Sequence, residues 1–518
     1  MANRAISISK LMGWAAAILV AVALFGTLGA VMWRAEPGGG LSAFDGAAIR
    51  FTLMQATLSA GLSVLFAVPV ARALMRRRFL GRSALVTLMG APFILPIIVA
   101  IIGLLSVFGS RGLISKALAM IGLEPVSIYG LHGVILAHVF FNLPLVTRLL
   151  MQGWAGIPAE RFRLAQSLGF RSRDTFRHIE APMLREVLPG AFLVVFLLCM
   201  TSFAVALTLG GGPKATTVEL AIYEAFRFEF DLTRAASLAT IQFVMGGALA
   251  LVALKVTIPS AMGAGLDRSV ALRPPASRAL WAQDVLAIGG AALFLLVPLL
   301  MVALRGLPTV MSLPDVVWAA AARSIGVALL STLVALGLAL PLARVALQMR
   351  RSWVEGLGTL TIAASPLVMG TGLFILLFPF VDPGRVALPV TAFVNAIMSL
   401  PFILRALVPA LAQVERDYGR LADQVGLVGV ARLRRLWLPR LRRPLGFGAG
   451  LTAALSMGDL GVIALFSRGD QATLPLEIFR LRTAYRMEDA AGASLLLLAI
   501  SLMLFWVFDR GGRINVDA

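Results

Sequence analysis

Residues 163–182, RLAQSLGFRSRDTFRHIEAP, return 257 positions later as residues 420–439, RLADQVGLVGVARLRRLWLP. Arg163-Leu164-Ala165 and Gly169 are matched by Arg420-Leu421-Ala422 and Gly426, and Pro182 by Pro439. The same offset reaches outward to Leu143-Pro144 and Leu400-Pro401, to Arg148 and Arg405, and to Ala215-Thr216 and Ala472-Thr473. A constant offset through polar segments marks a duplicated unit with few insertions. Loops normally drift, so a polar loop kept in both copies is expected to touch something.

The unit that was duplicated belongs in a bilayer. Hydrophobic residues make up 59% of the 518-residue chain and charged residues 14%, with a mean hydropathy of +0.90. A soluble domain carries about 25% charged residues. The single cysteine, Cys199, excludes an intrachain disulfide framework. Stretches of ~20 apolar residues, enough to cross a membrane, fall near 12–33, 52–74, 84–108, 131–151, 187–208, 236–259, 280–304, 318–342, 357–380, 387–407, 446–466 and 491–508. The first follows Arg4 and Lys10 but exceeds the ~7–15-residue apolar core of a secretory signal, so it reads as a retained anchor.

With the N-terminus inside, the inner segments hold 32 of the 46 Lys and Arg and 12 of the 26 Asp and Glu. The whole excess of +20 then lies on one face, as the positive-inside rule expects. In a soluble protein that charge would point to nucleic acid; distributed this way it does not. Runs such as Arg76-Arg77-Arg78 read as contacts with anionic lipid.

The reading is therefore an all-α polytopic membrane protein of about twelve transmembrane helices in two parallel repeats. Spans two to six correspond to spans eight to twelve, with Leu58-Ser59 echoed by Leu330-Ser331 at an offset of 272. The expected divisions are an N-terminal anchor and outer loop (1–50), a first transmembrane domain (51–259), a linker and extra helix (260–317), a second transmembrane domain (318–509) and a cytoplasmic tail (510–518). Parallel repeats imply an axis along the membrane normal and a pathway at the interface of the halves.

Each polar loop begins with a helix-like stretch: Phe162, Ala165 and Leu168 form an apolar side in one, Tyr418, Leu421 and Val425 in the other. A glycine follows, which predicts a left-handed cap, and a proline precedes the next span. A single such loop would read as a surface hairpin near lipid; two with identical glycine-to-proline spacing read as a shared docking surface.

Gly169 to Pro182 and Gly426 to Pro439 resemble the cytoplasmic EAA loop of bacterial ABC-importer permeases, in which Glu-Ala-Ala, three residues, Gly and nine residues precede Ile-x-Leu-Pro. The resemblance implies the type I importer fold, with each loop's short helix seated on an ATPase subunit, two copies in all. It carries over to Ala165, Gly169, Ile179 and Pro182, and to Ala422, Gly426, Leu438 and Pro439, with Leu436 in place of Ile. Arg163-Leu164 and Arg420-Leu421 stand where Glu-Ala is expected, so any salt bridge from that Glu is absent in both copies. None of the four lysines follows a glycine, so there is no phosphate-cradling Walker sequence. The chain is thus expected to be a non-catalytic subunit that binds no cofactor, with ATP used by the partner.

Within that family, fused two-domain permeases include those for thiamine and for ferric iron. Ala71-Arg72-Ala73-Leu74, residues 95–100 and above all 209–223, LGGGPKATTVELAIY, are more similar to the thiamine branch. The resemblance implies import of thiamine or its phosphate esters across a bacterial inner membrane, from a periplasmic binding protein, with both termini cytoplasmic. A thiazolium cargo calls for aromatic faces and weak carboxylate attraction. Asp459 is ionisable within span eleven, which makes it a candidate for the pathway; a helix cap at a glycine-rich kink is an equal reading. His138 and Asn142 read as hydrogen bonders between helices rather than ligands. Three dispersed histidines and one cysteine argue against a bound transition metal. In the outer loops, Glu219, Glu224, Glu229 and Asp231 oppose Arg480, Arg482 and Arg486, a pattern that would orient an asymmetric binding protein. An ion-coupled secondary transporter, the reading from another class, would need ionisable groups deep in several spans and no docking loops.

Overall fold

A computed structural model describes residues 8–35, 42–90, 94–254, 277–348, 365–467, 469 and 471–513. They form helices and turns with no strand among them. A bilayer offers no partner for backbone N–H and C=O groups, so apolar runs of this length satisfy them internally as helices. Among the described residues, eleven helices are long and apolar enough to cross a membrane. The remaining expected crossing, the ninth, at 357–380, is described only as the shorter helix Pro366–Leu377; its first residues, and residues 260–276 at the start of the linker, lie outside the described residues.

Three spans expected to be continuous are broken. The 84–108 stretch divides into Arg82–Leu88 and Ile97–Phe108, because Pro96 has no N–H to continue a ladder. The 187–208 stretch stops at Met200 and restarts as Phe203–Leu209. The 446–466 stretch stops at Met457 and restarts as Gly461–Phe466. The last two breaks sit at equivalent positions of the repeat.

The helices that precede each five-span core cross over. Ile8–Arg34 packs on Asp315–Gln348 and Pro366–Leu377 of the second half, whereas Arg278–Gly306 packs on Ala43–Arg76 and Ile97–Phe108 of the first. Glycine makes both contacts possible by letting backbones approach. A Cβ on Gly103 would lie 2.6 Å from the Pro298 carbonyl oxygen, and one on Gly372 would lie 2.7 Å from Thr27 Cβ. Two apolar cores result. One joins the first half to Arg278–Gly306 and the C-terminal helix Met487–Arg513. The other joins the second half to Ile8–Arg34 and the sixth span, Leu232–Leu254.

Arg278–Gly306 is also latched by charge. Buried Asp284 accepts from Arg76 Nη2 at 2.6 Å and from Arg77 Nε at 2.7 Å. This corrects the expectation of lipid contact for two of the three residues in the Arg76–Arg78 run: Arg76 is itself buried, and the Arg76 and Arg77 guanidiniums are committed to one internal carboxylate.

Candidate functional site

The two loops fold alike. The helix Ala159–Ser167 ends at Gly169 with φ +69°, and Ala387–Gln424, which runs on from a membrane span, ends at Gly426 with φ +70°. Gly169 N–H donates to Gln166 O (3.1 Å) and Phe170 N–H to Ala165 O (2.9 Å); Gly426 donates to Asp423 O (3.2 Å) and Leu427 to Ala422 O (2.8 Å). This paired pattern is a Schellman cap, whose left-handed residue is cheapest as glycine. Each loop continues through one helical turn into a π-helical segment, Phe176–Glu180 or Leu433–Trp437, and then into the next span, with Pro182 or Pro439 in its first turn.

The buried and exposed sides of the loop helices are fixed in both copies. Phe162, Ala165 and Ala422 face inward. Leu164 and Leu168 are exposed, as are their counterparts Leu421 and Val425. The apolar side expected from Leu168, Leu421 and Val425 therefore points away from the protein, a different face from Phe162 and Ala165. Ile179 is half-buried and Leu436, its counterpart, is buried, while Pro182, Leu438 and Pro439 are exposed.

Each loop is pinned to its half by an arginine from the second helix of that half. Arg72 Nε donates to Glu180 Oε2 at 2.5 Å, and its guanidinium lies 4.7 Å from the Phe176 ring centroid. Arg344, at the 272-residue offset, lies 4.7 Å over the ring of Trp437, the counterpart of Glu180. Trp437 Nε1 in turn donates to Glu415 Oε1 at 2.6 Å, and Glu415 also holds Arg432. One copy uses an ion pair and the other an aromatic face at the same place.

Between the halves lies a cavity of about 350 Å³, within the range of small-molecule sites. Its walls are built from equivalent positions of the repeat: His138 and Asn395, Asn142 and Ser399, Ser202 and Asp459. The two broken helices supply much of this lining. Behind it, each half carries a matched polar cluster. Ser59 Oγ lies 3.3 Å from His138 Nδ1, and Asn142 Nδ2 donates to Cys199 Sγ at 3.3 Å. In the second half Ser331 and Asn395 bond Ser456, the counterpart of Cys199, at 2.9 and 3.1 Å. Asp459 Oδ1 accepts from Gly461 N–H at 3.3 Å, an Asx-type turn that shapes the helix break.

No family model matches the chain. The thiamine transport system permease proteins ThiP of Salmonella typhimurium and Escherichia coli are each 38% identical to it, over 515 and 523 residues. The first match covers 96% of this chain and 95% of that protein, the second 97% of each. The chain belongs to the thiamine transport system permease family. The ThiP protein of Haemophilus influenzae is 34% identical over 88% of this chain and 87% of its own length. A molybdenum transport system permease protein, ModB of Azotobacter vinelandii, is 30% identical over 209 residues, 89% of that protein but 40% of this chain. That match is the size of one repeat.

As a permease of this family, the chain places its sequence-derived residues at two separate sites. Ala165, Gly169, Ile179 and Pro182, with Ala422, Gly426, Leu438 and Pro439, lie on the loops. Asp459 lies in the cavity wall, where its Oδ1 accepts from Gly461 N–H and shapes the helix break. His138 and Asn142 are hydrogen bonders, and both also line the cavity. Among the described residues no cluster of His, Cys, Asp and Glu is suited to a metal ion.

The outer charges are mostly committed inside this chain, which corrects the picture of two opposed charged rims. Arg234 pairs with Asp45 and Glu229, Arg486 with Asp489, and Arg482 Nη1 donates to Thr208 O at 2.7 Å across the halves. Glu219, expected on an outer loop, is fully buried and lines the cavity. An acidic residue in a polar connection gives no sign that the connection folds inward. The one available signal was the amphipathic stretch Val218–Arg227, which places Glu219 beside apolar neighbours.

Proposed function

We propose that this chain is the membrane-spanning subunit of an ATP-driven importer that carries thiamine and its phosphate esters into the cytoplasm. The observation that carries the reading is 38% identity to thiamine permeases over nearly their whole length. The two transmembrane domains, 51–259 and 318–509, supply both halves of the translocator from one polypeptide in a bacterial inner membrane, with both termini cytoplasmic. Two copies of a separate ATPase seat the loops. Leu164 and Leu168 on one side, and Leu421 and Val425 on the other, offer equivalent exposed apolar faces for that contact.

The mechanism follows from how the loops are fixed. The caps at Gly169 and Gly426 turn each loop helix back toward its span, and Arg72 and Arg344 bind it to the second helix of its half. A displacement of the loop by the ATPase is then passed to a packed bundle rather than absorbed by a hinge. The cavity sits between the two bundles, so rocking one against the other opens it alternately to either side. A binding protein delivers cargo at the outer face. In the cavity Asp459 attracts the thiazolium, and Phe141 and Phe402 offer rings to it.

The test is uptake of labelled thiamine and of ferric iron in cells lacking this chain, with and without complementation. Restored thiamine uptake alone supports the reading. Restored iron uptake without thiamine uptake overturns it.

A further inference from the structure

The described residues include five buried carboxylate side chains, and their partners differ sharply. Asp45 is met by Arg234, Glu180 by Arg72, Asp284 by Arg76 and Arg77, and Glu477 by Arg480. Glu219 alone has no cation. Its Oε1 accepts from Gln242 Nε2 at 3.2 Å, an amide also anchored on Met200 O at 3.1 Å, and its other polar neighbour, the Ser365 hydroxyl, is likewise uncharged. Asp459, from the opposite half, likewise has no ion pair; its polar neighbours are backbone N–H groups, Gly461 among them, and the neutral Asn395 amide. Both line the same cavity.

An unpaired carboxylate away from water is costly, and such groups persist where a ligand or pathway needs them. Elsewhere this chain answers buried acids with arginine. Here the cavity leaves two acids facing one space, one from each half. Gln242 fixes Glu219 without neutralising it, because an amide donates a hydrogen bond but no charge.

We infer that Glu219, with Asp459, is a specificity-determining residue that selects organic cations in transit, the missing counter-charge being supplied by the cargo. This rests on the thiamine reading, whose thiazolium would be that charge. Glu219 touches the cargo from the first half while Asp459 touches it from the second, so the cation is held at the interface whose opening moves it. The repeat gives Glu219 no equivalent carboxylate in the second half's cavity wall, which makes the recognition asymmetric although the framework is symmetric.

The test uses the complete importer in proteoliposomes with its binding protein saturated. Labelled thiamine is compared with a neutral analogue in which a thiophene replaces the thiazolium. Glu219→Gln should lower the ratio of thiamine to analogue uptake by tenfold or more, and Glu219→Asp should hold it within threefold of the parent. Glu219→Met provides a second neutral variant if Glu219→Gln does not assemble. Equal loss of both cargoes, an unchanged ratio, or failure of both neutral variants to assemble while Glu219→Asp assembles would mark Glu219 as structural and overturn the inference. A parent importer that takes up no thiamine would instead overturn the functional reading beneath it.

Discussion

Replacing Arg72 by Met should loosen the first loop far more than replacing Arg344 by Met loosens the second. Arg72 and Glu180 are 14% and 2% exposed as side chains and meet at 2.5 Å. Removing one partner of such a pair leaves an uncompensated charge and costs ~3–5 kcal/mol. Arg76 also acts electrostatically on Glu180, so the lower end, ~3 kcal/mol, applies. Arg344 loses its contact with the Trp437 ring, worth ~0.5–2 kcal/mol, while its attraction to Glu415 is offset by repulsion from Arg432, and Trp437 stays bonded to Glu415. At 1.4 kcal/mol per factor of ten, loop opening should rise ~100-fold for Arg72→Met and ~2- to 30-fold for Arg344→Met. Hydrogen exchange read at amides 172–180 and 429–437 reports these openings separately. Arg72→Met with Glu180→Leu should restore most of the protection, since an apolar pair can replace a buried ion pair at little cost. Equal exchange in the two single variants, or a double variant as loose as Arg72→Met, would refute the reasoning.

Other consequences follow from the same geometry. Gly169→Ala and Gly426→Ala meet no neighbouring atom but force a left-handed backbone, costing ~1–2 kcal/mol each; transport per ATP hydrolysed should fall while membrane abundance holds. Gly103→Ala and Gly372→Ala overfill the crossed-over helix contacts, at ~1–3 kcal/mol each. Thermal unfolding of the solubilised complex should show both losses, with Gly29→Ala, which meets nothing within 4 Å, as the unaffected control. Asp284→Asn strands two arginines and should destabilise by ~3 kcal/mol in the same assay; an unchanged transition would show that the latch on Arg278–Gly306 contributes nothing.

Much of the framework was legible because it repeats. The 257-residue offset located both loops, and glycine at equal spacing predicted the caps that Gly169 and Gly426 form. The offset also joins Cys199 to Ser456 and His138 to Asn395, positions whose chemistry differs so much that the pairing shows only once the clusters are seen side by side. What escaped was long-range placement. An apolar run does not say which half it will cover, so the crossing of Ile8–Arg34 and Arg278–Gly306 was hidden, though Gly103 and Gly372 mark the contact points. A basic run near a membrane edge reads as lipid-facing until Asp284, more than two hundred residues away, is placed against it. Glu219 was misread for a related reason: its loop folds inward, and only tertiary packing determines that.

The central claim is that an external motor drives thiamine through the cavity between these halves. Its most direct test is uptake of labelled thiamine into proteoliposomes containing this chain, its binding protein and its ATPase. The account predicts accumulation that requires ATP and the ATPase, and that is lost when Gly169→Asp and Gly426→Asp are combined. Thiamine uptake that persists without the ATPase would contradict it.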